Sequence, residues 1–176
     1  ERLRTELIEF KPLLREQIAE LRRAIFALRP IQFDELGFVG GLHRYIIEFG
    51  QQQGWTMKVD LNGIAACLSP PIEAISFRVV QEGLTNAAKH ATASTVTVQS
   101  TQMDGGLQLL IRDNGRGFDL GTVDSDHLGL RQMRERLATF HGRLTVLTQP
   151  GAGTELRIWL PIDLKPAKRQ MPKERS

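Results

Sequence analysis

The sequence predicts an α/β (α+β) sandwich, in which helices cover one face of a mixed, largely antiparallel sheet and a long amphipathic helix precedes it. Three observations carry this. Apolar residues recur at helical steps through the first half of the chain. Four later segments alternate apolar and polar residues in strand fashion, and the turns between them are glycine-rich. The 176 residues are 41% hydrophobic and 24% charged, enough for one well-buried core.

The first element is a helix over residues 1–30. Leu3, Leu7, Phe10, Leu14, Leu21 and Leu28 form a seam spaced by three, four or their sum, with Gln17 and Ala24 at the intervening positions. Pro12 either kinks this helix or starts it, and Pro30 ends it. Such a stripe needs a partner helix, so the seam predicts bundle or coiled-coil pairing. A second helix is expected over about Phe38 to Gln52, with Leu42, Tyr45, Ile46 and Phe49 on one side and Gly54 closing it. "WTMKVDLNG" alternates Met57, Val59 and Leu61 as a strand does, and the prolines of "SPPIEA" open a third helix from about Ile72 to Ala91. A meander follows: "STVTVQS" and "GLQLLIR" joined across "MDGG", then, after a short helix beyond Gly129 with Leu130, Met133 and Leu137 inward, "RLTVLTQ" and "TELRIWL" joined across "PGAG".

Composition narrows the function. Net charge is only +3, too mild and dispersed to argue for nucleic acid. Five cations crowd into residues 165–176, which reads as a basic, solvated tail. The single cysteine, Cys67, can form no internal disulfide and no thiolate metal site, which fits a reducing compartment. No segment has the roughly 20 apolar residues a bilayer span requires, and the charged start is no signal peptide. His43, His127 and His141 lack zinc-site spacing.

Three stretches could carry chemistry. Wound at ~3.6 residues per turn, the third helix puts Phe77, Val80, Leu84, Ala87, Ala88 and Ala91 on one side and Arg78, Glu82, Thr85, Asn86 and Lys89 on the other, with His90 at the border. That is an ordinary amphipathic helix, or a row in which Glu82 and Asn86 offer oxygens to Mg²⁺ while Lys89 reaches phosphates. His90 is equally a satisfied helical histidine or a phosphate contact. "RDNGRGF" places Asp113 at a strand end and Gly115 and Gly117 in a turn, either a simple hairpin or the edge of a nucleotide pocket. Gly129 stands before a helix whose N-terminal donors suit phosphate oxygens, whereas Arg131, Arg134 and Arg136 read as surface charges.

The order of these stretches resembles one family. Glu82-x-x-x-Asn86, Asp113-x-Gly115-x-Gly117, Gly129-Leu130 and Gly151-x-Gly153-Thr154 are similar to the N, G1, G2 and terminal Gly-Thr motifs of the GHKL ATPase superfamily. "RVVQEGLTNAAKHA", "IRDNGRGF", "HLGLRQMRERL" and "GAGTELRIWLP" most resemble the ATP-binding domain of two-component sensor histidine kinases of the NarL-partner type. "REQIAELRRAIFALRP" with "DELGF" resembles the second dimerisation helix of those kinases.

This resemblance implies a Bergerat-type ATP-binding fold over residues 31–162, part of a dimerisation bundle over 1–30 and a tail over 163–176. It implies ATP and Mg²⁺ as ligands, a NarL-type response regulator as partner, homodimerisation through the first helix and a cytoplasmic setting, without nucleic-acid or membrane contact in this piece. It assigns Glu82 to activating or positioning the attacking group and Asn86 to Mg²⁺. Lys89 and His90 fall to the phosphates, Asp113 to the adenine amine and Thr154 to the base. Gly115 and Gly117 let the backbone pass close to the nucleotide, and Gly129 and Leu130 begin the segment after the lid. The family's phosphoacceptor histidine, flanked by an acidic residue on the first dimerisation helix, has no counterpart here, since His43 already lies beyond the helix. The chain is then expected to be a fragment, or a kinase that has lost its acceptor. The lid between Phe118 and Gly129 is short, as in this subfamily. Two other classes compete: another GHKL ATPase such as an anti-sigma serine kinase, and a catalytically silent dimerisation or docking module.

Overall fold

A computed structural model describes residues 37–64, 68–103, 105–120 and 128–162. The expected seam helix, the basic tail, Cys67 and most of the lid lie outside these residues. In chain order the elements are α1 (Gly37–Gln53), β1 (Thr56–Asp60), α2 (Pro70–His90), β2 (Thr95–Met103), β3 (Gly106–Asp113), α3 (Leu128–Ala138), β4 (Arg143–Thr148) and β5 (Thr154–Pro161).

The strands form one five-stranded sheet in the order β1-β2-β3-β5-β4. β1 pairs with β2 in parallel, and every other pairing is antiparallel. The mixed character follows from connectivity: α2 links β1 to β2 as a crossover, which parallel neighbours require, while a tight turn joins β2 to β3. Alternation decides the faces. Val96, Val98, Leu107, Leu109, Ile111, Leu156, Ile158 and Leu160 are buried beneath the helices, whereas Gln99, Thr101, Arg112 and Arg157 on the opposite face are exposed. Burying one face of each strand gives the sheet its register and the helices their seat.

α2 is the central helix. Prolines at its start need no amide partner there, so Pro70 and Pro71 set its first turn. It packs on β3 and β5, and at Gly83 an added Cβ would lie 2.6 Å from Ile111 Cδ1. Its buried face is wider than the expected stripe, because Ile75, Ser76, Val79 and Gly83 are buried as well. α1 lies against α2 through Tyr45 and Phe77, whose rings are 4.8 Å apart. α3 rests on α2 and β4, held by Leu130, Met133 and Leu137 as expected. Gly129 falls inside the first turn of α3 rather than just before it. Met57 and Val59 are half-buried, since β1 is an edge strand with one neighbour.

Candidate functional site

Two clusters form on the helical side of the sheet, one at the end of β3 and one between α2 and the start of α3. The first is built on Asp113, the last residue of β3. Its register partners are Val96 on β2 and Thr154 on β5, so alternation turns its side chain toward the buried face, where it is 7% exposed. Asp113 Oδ1 accepts the Gly115 N–H at 2.8 Å and the Thr154 N–H at 3.3 Å. Burial pushes the Asp113 carboxyl above its ordinary value, and the Gly115 and Thr154 N–H groups pull it part of the way back. The result is a buried carboxylate fixed through one oxygen by two amides, an arrangement that can select a ligand donating an amine hydrogen.

The turn after Asp113 is locked against the end of α2. The Arg116 N–H donates to the Ala91 carbonyl at 2.8 Å and Arg116 Nε to the His90 carbonyl at 2.6 Å. Gly115 is buried against Ala91. Gly117 has φ +56°, a left-handed conformation that glycine adopts without a Cβ penalty, and its backbone lies close to the carbonyls of Gln149 and Gly153.

The second cluster is on the outer side of α2. Glu82 and Asn86 are one turn apart, and the start of α3 comes down on both. A Cβ at Gly129 would sit 2.5 Å from Glu82 Oε1, 3.4 Å from Asn86 Oδ1 and 3.6 Å from Asn86 Nδ2. A side chain there would force the tip of Glu82 to move. Asn86 Nδ2 is buried and has no hydrogen-bond partner among the described residues, and a buried amide left unsatisfied costs free energy that a ligand oxygen would recover.

This donor set fits a magnesium-bound polyphosphate. The Glu82 carboxylate and Asn86 Oδ1 are hard oxygen ligands, and the orphaned Nδ2 suits a phosphate oxygen. Among the described residues no group of three His, Cys, Asp or Glu side chains could hold a metal alone. A cation held here would need its remaining ligands from phosphate and water, a coordination that Mg²⁺ commonly adopts.

Other expected site residues are placed as follows. Lys89 and His90 are exposed in the last turn of α2. Leu130 is buried at 6%, so its side chain anchors α3 within the core. Thr154 opens β5, its Oγ1 3.3 Å from Thr148 Oγ1.

Two residues escape a reading of motifs. Thr148 Oγ1 accepts the Phe118 N–H at 3.1 Å and donates to the Gly153 carbonyl at 3.0 Å, tying the turn after Asp113 to the β4–β5 turn. Asn114 Oδ1 accepts the Ser94 and Thr95 N–H groups at 3.0 and 2.9 Å, holding the start of β2 beside Asp113. The signal for Thr148 is its position opposite Thr154 across a hairpin, visible only once the register is known.

Comparisons with known proteins agree with this geometry. Residues 73–164 match the HATPase_c family, described as the histidine kinase-, DNA gyrase B- and HSP90-like ATPases. The histidine-protein kinase/phosphatase DegS of Brevibacillus brevis is 33% identical over 157 residues, spanning 89% of this chain and 41% of that protein. The sensor histidine kinase LiaS of Bacillus subtilis is 34% identical over 143 residues, spanning 81% of this chain and 39% of its own length. The chain thus spans about two-fifths of each of these two relatives. The histidine kinase domain of a blue-light-activated kinase from Erythrobacter litoralis superposes with a TM-score of 0.58 at 25% identity, over 71% of this chain and 61% of that one. With a family match over more than half its length, this chain belongs to the histidine kinase-, DNA gyrase B- and HSP90-like ATPases and carries their ATP-binding domain.

Proposed function

We propose that this chain is the ATP-binding catalytic part of a two-component sensor histidine kinase, which transfers the γ-phosphoryl group of ATP to a histidine nitrogen and thence to a response-regulator aspartate. One observation carries the reading: the turn that follows the buried carboxylate Asp113 is hydrogen-bonded to the end of α2, the same helix that bears Glu82 and Asn86. Kinases among its relatives, DegS and LiaS, support it.

In this reading the adenine amine donates to Asp113, whose position is set by Gly115 and Thr154, and Thr154 contacts the base directly or through water. Asn86 would hold the metal by Oδ1 and a phosphate oxygen by Nδ2, its buried amide being without a partner among the described residues. Mg²⁺, when bound, would neutralise phosphate charge as the γ-phosphoryl group is transferred. Lys89 and His90 add positive charge at the end of α2, and the close start of α3 at Gly129 and Leu130 closes the phosphate side. Glu82 positions the acceptor imidazole, whose unprotonated nitrogen attacks phosphorus as the bond to the departing ADP oxygen breaks, and takes the proton from the other ring nitrogen. Phosphoryl transfer asks mainly for positioning and charge stabilisation, so this short list suffices.

The acceptor histidine and the partner copy in a homodimer belong to the dimerisation bundle of which residues 1–30 form a part. The receiving partner is a NarL-type regulator, and the setting is the cytoplasm. No described helix is long and apolar enough to cross a membrane. The test supplies a histidine-bearing dimerisation helix in trans with radiolabelled ATP. Label on that helix, lost in Glu82→Gln while ATP binding persists, is the expected result. ATP hydrolysis without transfer contradicts the kinase reading and favours an ATPase of another branch.

A further inference from the structure

A groove runs along the helix-free face of the sheet to the Asp113 end of β3. It has a volume of about 350 Å³ and is lined by Lys58, Thr95, Thr97, Arg112, Asp113, Asn114 and Ala152. Register explains what it offers. Lys58 is paired with Thr97, Thr97 with Arg112, and Arg112 with Glu155, so these side chains form one cross-strand row. Lys58 and Arg112 are two strands apart, roughly 10 Å at the usual spacing, with the Thr97 hydroxyl between them. A ligand bearing two anionic groups spans that gap.

The charge balance favours an anion. Lys58 has no hydrogen-bond or ion-pair partner among the described residues. Arg112 approaches Glu155 at 3.8 Å, but Arg157 takes the same carboxylate at 2.6 Å, so one carboxylate serves two guanidinium groups. Asp60, the other acid on this face of β1, lies outside the lining and accepts the Asn62 N–H at 3.1 Å. The one carboxylate in the lining, Asp113, is already engaged by Gly115 and Thr154. Apart from Ala152 the lining residues carry hydroxyl, amide, carboxylate or cationic groups, and the two cations with the Thr97 hydroxyl suit an anionic ligand.

We propose that this groove is a second ligand site, taking a small molecule with two anionic oxygen groups, a phosphate ester or a di- or tricarboxylate, through Lys58, Arg112 and the Thr97 hydroxyl. Its end is shared with the nucleotide pocket, because Asp113 and the Asn114 clamp on Ser94 and Thr95 border both. Occupancy of the groove therefore stiffens the backbone that presents the adenine-selecting carboxylate. The site is independent of the kinase reading, since it uses none of the residues assigned to transfer.

The test is backbone amide NMR of the 176-residue chain, titrated separately with sodium pyrophosphate and sodium citrate at constant ionic strength. Saturable shifts at Lys58, Thr97 and Arg112 are expected, with affinity about tenfold weaker in Lys58→Gln and again in Arg112→Gln, as befits losing one charge-assisted contact. Both side chains are surface groups, and the spectra themselves report that the fold is retained. A response to pyrophosphate alone assigns phosphorylated ligands, and one to citrate alone assigns carboxylates. Shifts confined to Asn86, Lys89 and His90, shifts undiminished in Lys58→Gln, or none at all overturn the site. ATP titrated into the wild type and into Lys58→Gln should bind equally; no ATP binding in either counts against the kinase reading and leaves the groove standing, whereas loss in Lys58→Gln alone places Lys58 in the nucleotide pocket and overturns the separate site.

Discussion

Asp113 is held by opposing effects. Desolvation raises its pKa and two backbone N–H groups lower it, with desolvation the larger. The ionised form is therefore disfavoured in the fold relative to the unfolded chain, so the group costs stability above its folded pKa and costs none below its unfolded value near ~3.9. Asp113→Asn keeps an acceptor of the same shape without the charge. Its melting temperature at neutral pH should equal or exceed that of the wild type, while ATP affinity falls about 10- to 100-fold from loss of a charged hydrogen-bond acceptor. ATP affinity in the wild type should also decline as pH falls through the raised pKa, earlier than an ordinary aspartate would dictate. Gly129 makes a different prediction. Its added methyl would crowd the flexible tip of Glu82 and touch the Asn86 amide at ordinary contact distance, so Gly129→Ala should unfold within about 1 kcal/mol of the wild type by denaturant titration, yet displace Glu82 and lower phosphoryl transfer. These roles are only half legible in sequence. The spacing of Glu82 and Asn86 announces a row on a helix, but that Gly129 arrives against it depends on the packing of α3.

α1 and α2 meet through an aromatic cluster of Tyr45, Phe49, Trp55 and Phe77. Burial pushes the Tyr45 phenol up to about 12, well above its unfolded value near ~10. Its neutral form is favoured in the fold, so this stabilisation is complete below pH ~10 and is lost as pH rises toward 12. Ultraviolet titration of the phenol in the folded chain should show ionisation delayed to that range, and a Tyr45→Phe variant should lose less stability between pH 10 and 12 than the wild type. Within α2, Leu84 is fully buried, and Leu84→Ala should cost about 2–5 kcal/mol by denaturant unfolding. The helices and the four meander strands were visible in sequence because each satisfies one period. The width of the buried face of α2 was not, since Gly83 packs on Ile111 and Leu156 of the sheet while Phe77 packs on Tyr45 of α1, a consequence of placement rather than pattern.

Across the molecule, the sheet separates two surfaces. On one, the helices bury the core and assemble the Asp113 and Glu82–Asn86 clusters at the ends of β3 and α2. On the other, the same strands present a polar row from Lys58 to Glu155. Sequence motifs reported the first surface because its glycines, amide and carboxylates recur in a family-specific order. They were silent about the second, because Lys58 and Arg112 are 54 residues apart in the chain and become neighbours only through the parallel β1–β2 pairing and the β2–β3 hairpin. The central claim is that this fold selects adenine and holds its phosphates with a metal. The most direct measurement is calorimetric titration of the chain with ATP and with GTP, each with and without Mg²⁺. The account predicts saturable ATP binding that Mg²⁺ strengthens and no detectable GTP binding; equal affinity for the two nucleotides, or no binding of ATP, would contradict it.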